Sequence, residues 1–146
     1  MDANPLDANS LSAIKAALDL YFAQYNATDK LWVYFAVVTL AVLGFSVASE
    51  RVSRSFLEAA IVAIGYVVFA VGNFHALTLA QMQLIQFAAL ARRVANEHMV
   101  QMPALERSPL AEEACFYWAV VIAVCVAILL ITYRRRVYER QPSIWA

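Results

Sequence analysis

An all-α membrane protein is the fold class this sequence predicts, and three observations predict it. Of 146 residues, 63% are apolar, against roughly 45–50% in a typical soluble domain. Charged residues make up 15%, against about 25% normally. Those charges avoid three long blocks and crowd between them. In lipid every backbone N–H and C=O must find a partner inside the protein, so apolar blocks of this length read as helices. One membrane domain over residues 1–146 is expected. It holds three transmembrane helices, an N-terminal amphipathic helix and a second helix that outruns the bilayer. The formal net charge is 0 at pH 7, so bulk charge names no partner.

The stretch "NSLSAIKAALDLYFAQYN" opens the folded part. Leu11, Ile14, Leu18, Tyr21 and Phe22 recur at helical spacing, with Lys15, Asp19 and Gln24 elsewhere on the wheel. An amphipathic helix over 9–26 is expected, with Asn9 or Ser10 able to cap its start. Its polar face carries little positive charge, which favours packing on protein over lying on lipid. The first span follows at 30–50. Residues 31–49 are uncharged, close to the roughly 20 residues a bilayer needs. Trp32 and Tyr34 sit where amphipathic rings suit an interface.

Ser55 and Glu58 have capping-box spacing, so a new helix is expected to start there. No Asp, Glu, Lys or Arg occurs in residues 59–91. At 1.5 Å per residue that block runs about 50 Å, beyond a hydrocarbon core of roughly 30 Å. From Thr78 on, Gln81, Gln83 and Gln86 alternate with Leu84, Phe87 and Leu90. The second helix, over 55–99, is therefore expected to leave the membrane with an amphipathic lower half. An apolar face outside the bilayer must be buried by protein. Copies of the same chain are the expected cover, which makes a homo-oligomer.

Pro103 and Pro109 interrupt the polar connector. The third span is expected over 109–134, opening with Glu112 and Glu113 in an acidic first turn. Phe116, Tyr117 and Trp118 cluster at one interface and Tyr133 lies at the other. A basic tail over 135–146 completes the chain. Cys115 and Cys125, ten residues apart on one helix, lie about 15 Å from each other. That is too far for a bridge, whose Cα atoms sit within roughly 7 Å.

Arginines near span ends favour the cytoplasm. Arg51, Arg54, Arg134, Arg135, Arg136 and Arg140 share one side, which sets the N-terminus out and the C-terminus in. Asp2 and Asp7 stand where a secretory signal needs positive charge, so no signal is expected, and a bacterial inner membrane is the expected location.

Catalytic chemistry finds no motif. His75 and His98 belong to no Cys/His cluster with metal-ligand spacing, and no glycine-rich phosphate loop occurs. Neither an enzyme nor a cofactor is expected. What remains is polarity inside the membrane. Tyr66, Asn73, Leu77 and Ala80 fall in a narrow arc of the second helix, with Gly65, Gly72 and Gln83 on an adjacent one. One reading makes the arc pore-lining, with Asn73 a polar ring and Leu77 an apolar constriction. The other makes it a helix–helix contact in which Asn73 bonds a neighbouring span.

The closing "ITYRRRVYERQPSIWA" raises a parallel choice. Arg134, Arg135, Arg136 and Arg140 anchor a final span on its positive side, against anionic lipid. Alternatively, with Arg51, Arg54 and the stacking face of Tyr138, they hold single-stranded nucleic acid around a symmetric oligomer.

Two stretches, "LAVLGFSVASERVSRS" and "GYVVFAVGNFHALTLAQ", together with the order of helices, resemble the membrane effector of the Hailong anti-phage system. The likeness covers most of the chain. It implies a homotetrameric inner-membrane ion channel, held shut by single-stranded DNA oligomers from a partner nucleotidyltransferase. Loss of the oligomer would open the channel and depolarise the infected cell. The alternative expectation is a small accessory subunit of a larger membrane complex, its outer face covered by different proteins.

Overall fold

The structure is a computed structural model that describes residues 8–49, 52, 55–100 and 110–140, with the backbone alone at 110, 111 and 138–140. Three helices account for nearly all of it: α1 (Ala8–Ala48), α2 (Phe56–Glu97) and α3 (Leu110–Arg140). No strand occurs among the described residues. All three helices are long and apolar enough to cross a membrane.

The break expected between the amphipathic segment and the first span does not occur: α1 runs unbroken for 41 residues. Residues 26–30 contain neither proline nor glycine to stop it. Thr28, buried here, turns its hydroxyl back to the Gln24 carbonyl at 2.9 Å, so its polar group is satisfied within the helix. Asn9 and Ser10 lie inside the first turn rather than before it, and the Ser12 hydroxyl donates to the Asn9 carbonyl at 2.8 Å.

Helix α2 starts where the capping box places it. The Glu58 amide donates to Ser55 Oγ at 3.5 Å, and the Ala59 amide to the Ser55 carbonyl at 3.1 Å. Its end is a Schellman-type turn. The Val100 amide donates to the Ala95 carbonyl at 2.9 Å and the Met99 amide to the Asn96 carbonyl at 3.1 Å. Met99 takes the left-handed position, φ 56°, that glycine usually fills. Helix α3 continues through Arg140, so the tail arginines stand on a helix and not on an extended tail. The prolines of the connector, Arg51, Arg54 and residues 141–146 lie outside the described residues.

The chain divides into two compact units. The first pairs α1 up to Trp32 with α2 from His75 onward. Its contact residues are Ile14, Ala17 and Thr28 on α1, and Leu77, Gln81, Leu84, Ala88, Ala91 and Ala95 on α2. The α2 set repeats at alternating steps of four and three, the spacing of a coiled-coil seam. Gln24 crosses between the helices. Its Nε2 donates to the Ala80 carbonyl at 3.2 Å and to Gln83 Oε1 at 3.1 Å. Leu11 and Phe22, expected on the buried face of α1, are exposed instead. With one partner helix, only one narrow seam can be covered.

The second unit packs α1 from Val33, α2 up to Phe74, and α3. Its α3 seam is Tyr117, Val121, Val124, Ile128 and Thr132; α1 meets it with Phe35, Thr39 and Ser46, and α2 with Ala59, Tyr66 and Ala70. Lipid tails are as apolar as leucine, so the hydrophobic effect hardly drives helices together in hydrocarbon. Close packing and hydrogen bonds must hold this unit, and the polar members of the seam are all engaged. Ser46 donates to the Val42 carbonyl at 2.7 Å, and Thr132 to the Ile128 carbonyl at 3.0 Å.

Candidate functional site

Of the arc read as pore-lining, Tyr66 and Leu77 are buried within the chain. Tyr66 is 2% exposed, and its phenol shares a 2.9 Å hydrogen bond with Thr39 Oγ1. Asn73 Nδ2 donates to the Tyr117 hydroxyl at 3.3 Å. Leu77, in the other unit, is 2% exposed. Ala80 is half-buried, and its carbonyl receives Gln24. Tyr66 and Leu77 are buried within their own chain, while Asn73 and Ala80 are half-buried.

Tyr117, expected with Phe116 and Trp118 at the interfacial end of the third span, is 0% exposed. Its hydroxyl donates to the Ala70 carbonyl at 2.8 Å while accepting from Asn73. Its ring stacks on Phe35 with centroids 4.2 Å apart, and lies 5.2 Å from Phe74. Its spacing from Val121, Val124 and Ile128 was the available signal. Phe116, off that seam, is exposed.

The outward face of α2 in the first unit carries the most informative pattern. His75, Leu79, Met82, Gln86, Leu90 and Arg93 follow one another at steps of four, three, four, four and three. All six are exposed. The same stretch of α2 thus carries a second seam at coiled-coil spacing that its own chain leaves uncovered. Within the charge-free stretch 59–91, the polar residues classed as exposed are His75, Gln83 and Gln86. By contrast, the exposed side chains of α1 over 33–48 are apolar apart from Tyr34. Those of α3 over 115–133 are apolar apart from Cys115 and the Tyr133 hydroxyl. Gly65 and Gly72, in the second unit, are exposed, and a Cβ on either would meet nothing within 4 Å.

The basic end of α3 separates into distinct positions. Arg134 and Arg136 are exposed. Arg135 is half-buried, and its Nη2 donates to the Val47 carbonyl at 3.0 Å. Tyr138 and Arg140 are on the helix, their side chains outside the described residues, as are Arg51 and Arg54. The structure therefore ties Arg135, a predicted ligand arginine, to the end of α1. Among the described residues, no three His, Cys, Asp or Glu side chains gather as a metal site would require.

Fold and surface together define an all-helical protein with three helices able to span a membrane. Comparison with known proteins found no family model, no curated protein and no solved structure that matches the chain.

Proposed function

We propose that this chain is the subunit of a homo-oligomeric membrane ion channel whose copies meet along the outward seam of α2. The observation that carries the reading is that seam. Leu79, Met82 and Leu90 supply apolar knobs at coiled-coil spacing, and Gln86 stands among them. A polar residue at one seam position specifies register and oligomer state at some cost in stability. An identical helix brings the same residue to the same level, so Gln86 meets Gln86. Lipid suits the outward faces of α1 over 33–48 and of α3 over 115–133, and the polar residues on the α2 seam favour that seam as the contact.

Helix length agrees with this arrangement. The 42 residues of α2 extend about 63 Å, twice a hydrocarbon core of roughly 30 Å. We place the charge-free stretches 31–49 and 114–133, with the first part of α2, in the bilayer. The first unit, with His75, Gln83 and Gln86 exposed on its α2 surface, suits water rather than lipid. His75 and Gln86 become polar rings on the axis, replacing the inward arc as the lining. The tetrameric state, the bacterial inner membrane and depolarisation in anti-phage defence rest on the resemblance of the two quoted stretches. The N-out, C-in orientation rests on the arginine distribution.

The test is ion flux from liposomes containing the purified full chain, in a background with Cys115 and Cys125 replaced by alanine. A charged thiol reagent should block flux through Gln86→Cys and leave Leu40→Cys, on the outward face of α1, conducting. No flux from a folded, defined oligomer would end the channel reading. Equal block at both positions would remove α2 from the axis.

A further inference from the structure

We propose that Arg135 latches the end of α1, and that the phosphate of an anionic phospholipid headgroup releases it. The geometry begins with the α3 seam. Continuing Tyr117, Val121, Val124, Ile128 and Thr132 by three residues reaches Arg135. That step turns its side chain toward α1, whereas Arg134 and Arg136 fall to either side and are exposed. Val47 lies in the last turn of α1, where carbonyls lack a helical amide partner. Arg135 supplies one, and places a cation at the negative end of the helix dipole. Nearby, Thr132 Oγ1 approaches the Val52 carbonyl at 3.5 Å. The end of α1 is thus held by α3 through Arg135.

The latch is reversible by chemistry. Its hydrogen bond lies at the exposed surface. A guanidinium bonds a charged phosphate oxygen roughly twice as strongly as a neutral acceptor, and in bidentate geometry. A phosphate at this corner meets exposed Arg134 while the latch is closed, and gains Arg135 once it opens. It therefore binds the open form more tightly, and by that difference it shifts the equilibrium. The apolar span that ends α3, Glu112–Val137, includes all three arginines. Exposed Tyr133 and Val137 flank them. Arginines at a span end beside an interfacial tyrosine sit at headgroup depth, which favours a lipid over a soluble anion. The proposal holds whether or not the chain forms a channel.

Hydrogen exchange of the full chain in nanodiscs tests it. The readout is the segment around Ser49, whose amide donates to the Phe45 carbonyl, and Val52, whose amide donates to Ser49 Oγ. Replacing part of the phosphatidylcholine with phosphatidylglycerol should speed exchange there about fivefold, the effect of losing one modest hydrogen bond. Arg135→Gln should exchange fast in phosphatidylcholine alone and ignore phosphatidylglycerol. Arg134→Gln should stay slow in phosphatidylcholine and respond less to phosphatidylglycerol. Wild-type exchange indifferent to phosphatidylglycerol overturns the proposal, and this arm needs no variant to fold. So does opening by inorganic phosphate or a single-stranded oligonucleotide in phosphatidylcholine discs when phosphatidylglycerol has no effect.

Discussion

Asn73 on α2 and Tyr117 on α3 are joined by a 3.3 Å hydrogen bond, and the tyrosine hydroxyl in turn donates a hydrogen bond to the Ala70 carbonyl at 2.8 Å. The pair gives a polar side chain in an apolar span a partner inside its own subunit, where an unsatisfied amide in hydrocarbon would be costly.

A double-mutant cycle on Asn73→Leu and Tyr117→Phe should therefore show coupling. Interhelical bonds of this kind in membranes average about 0.6 kcal/mol, with a ceiling near 1.7. Thermal or denaturant unfolding in detergent measures the coupling energy. Ion flux per folded oligomer should be unchanged by Asn73→Leu; a changed conductance would return Asn73 to the pore.

Leu77 and Leu79 are two residues apart and face opposite tasks. Leu77 is buried in its own chain and Leu79 is exposed on the outward seam. Leu77→Ala should destabilise the subunit by about 2–5 kcal/mol, as for other buried leucines. Leu79→Ala should leave subunit unfolding nearly unchanged and shift the protein toward smaller species. Light scattering on the detergent-solubilised protein separates the two outcomes. An intact oligomer with Leu79→Ala would argue against the α2 seam as the contact.

Gln86→Leu should tighten the oligomer and lower its ion flux. The substitution removes the polar group between Met82 and Leu90, and an apolar constriction on the axis dewets and closes. Dissociation in a detergent dilution series and liposome flux should therefore move in opposite directions. Weaker association with Gln86→Leu would count against the register assigned to Gln86.

Met99→Gly should stabilise the end of α2. A non-glycine residue in the left-handed region costs roughly 1–2 kcal/mol, and Met99, 95% exposed, contributes no packing in return. Slower exchange of the last-turn amides of α2 is the expected readout.

Much of the fold was legible from residue order. The capping box at Ser55 and Glu58, the length of α2 and the uncharged blocks each depend on neighbours in sequence, and the structure carries all three. The continuity of α1 was legible too, in the absence of proline or glycine over residues 26–30, but the polar residues there read as a break. The candidate site was harder. Arg135 was read as one of a row of anchors, and only the α3 seam distinguishes it from Arg134 and Arg136.

The sequence by itself determined that this is an all-helical chain with three helices able to cross a membrane. Backbone groups in hydrocarbon leave the helix as the available form for such blocks, and their positions follow from where charge is excluded. Only the tertiary structure decided which arc of each helix faces inward. In a soluble domain the polarity contrast between core and surface answers that question. In a span the core and the lipid are equally apolar, so Tyr66, Asn73 and Tyr117 carry no label of direction. Their direction is set by the groups that meet them, the Thr39 and Tyr117 hydroxyls and the Ala70 carbonyl.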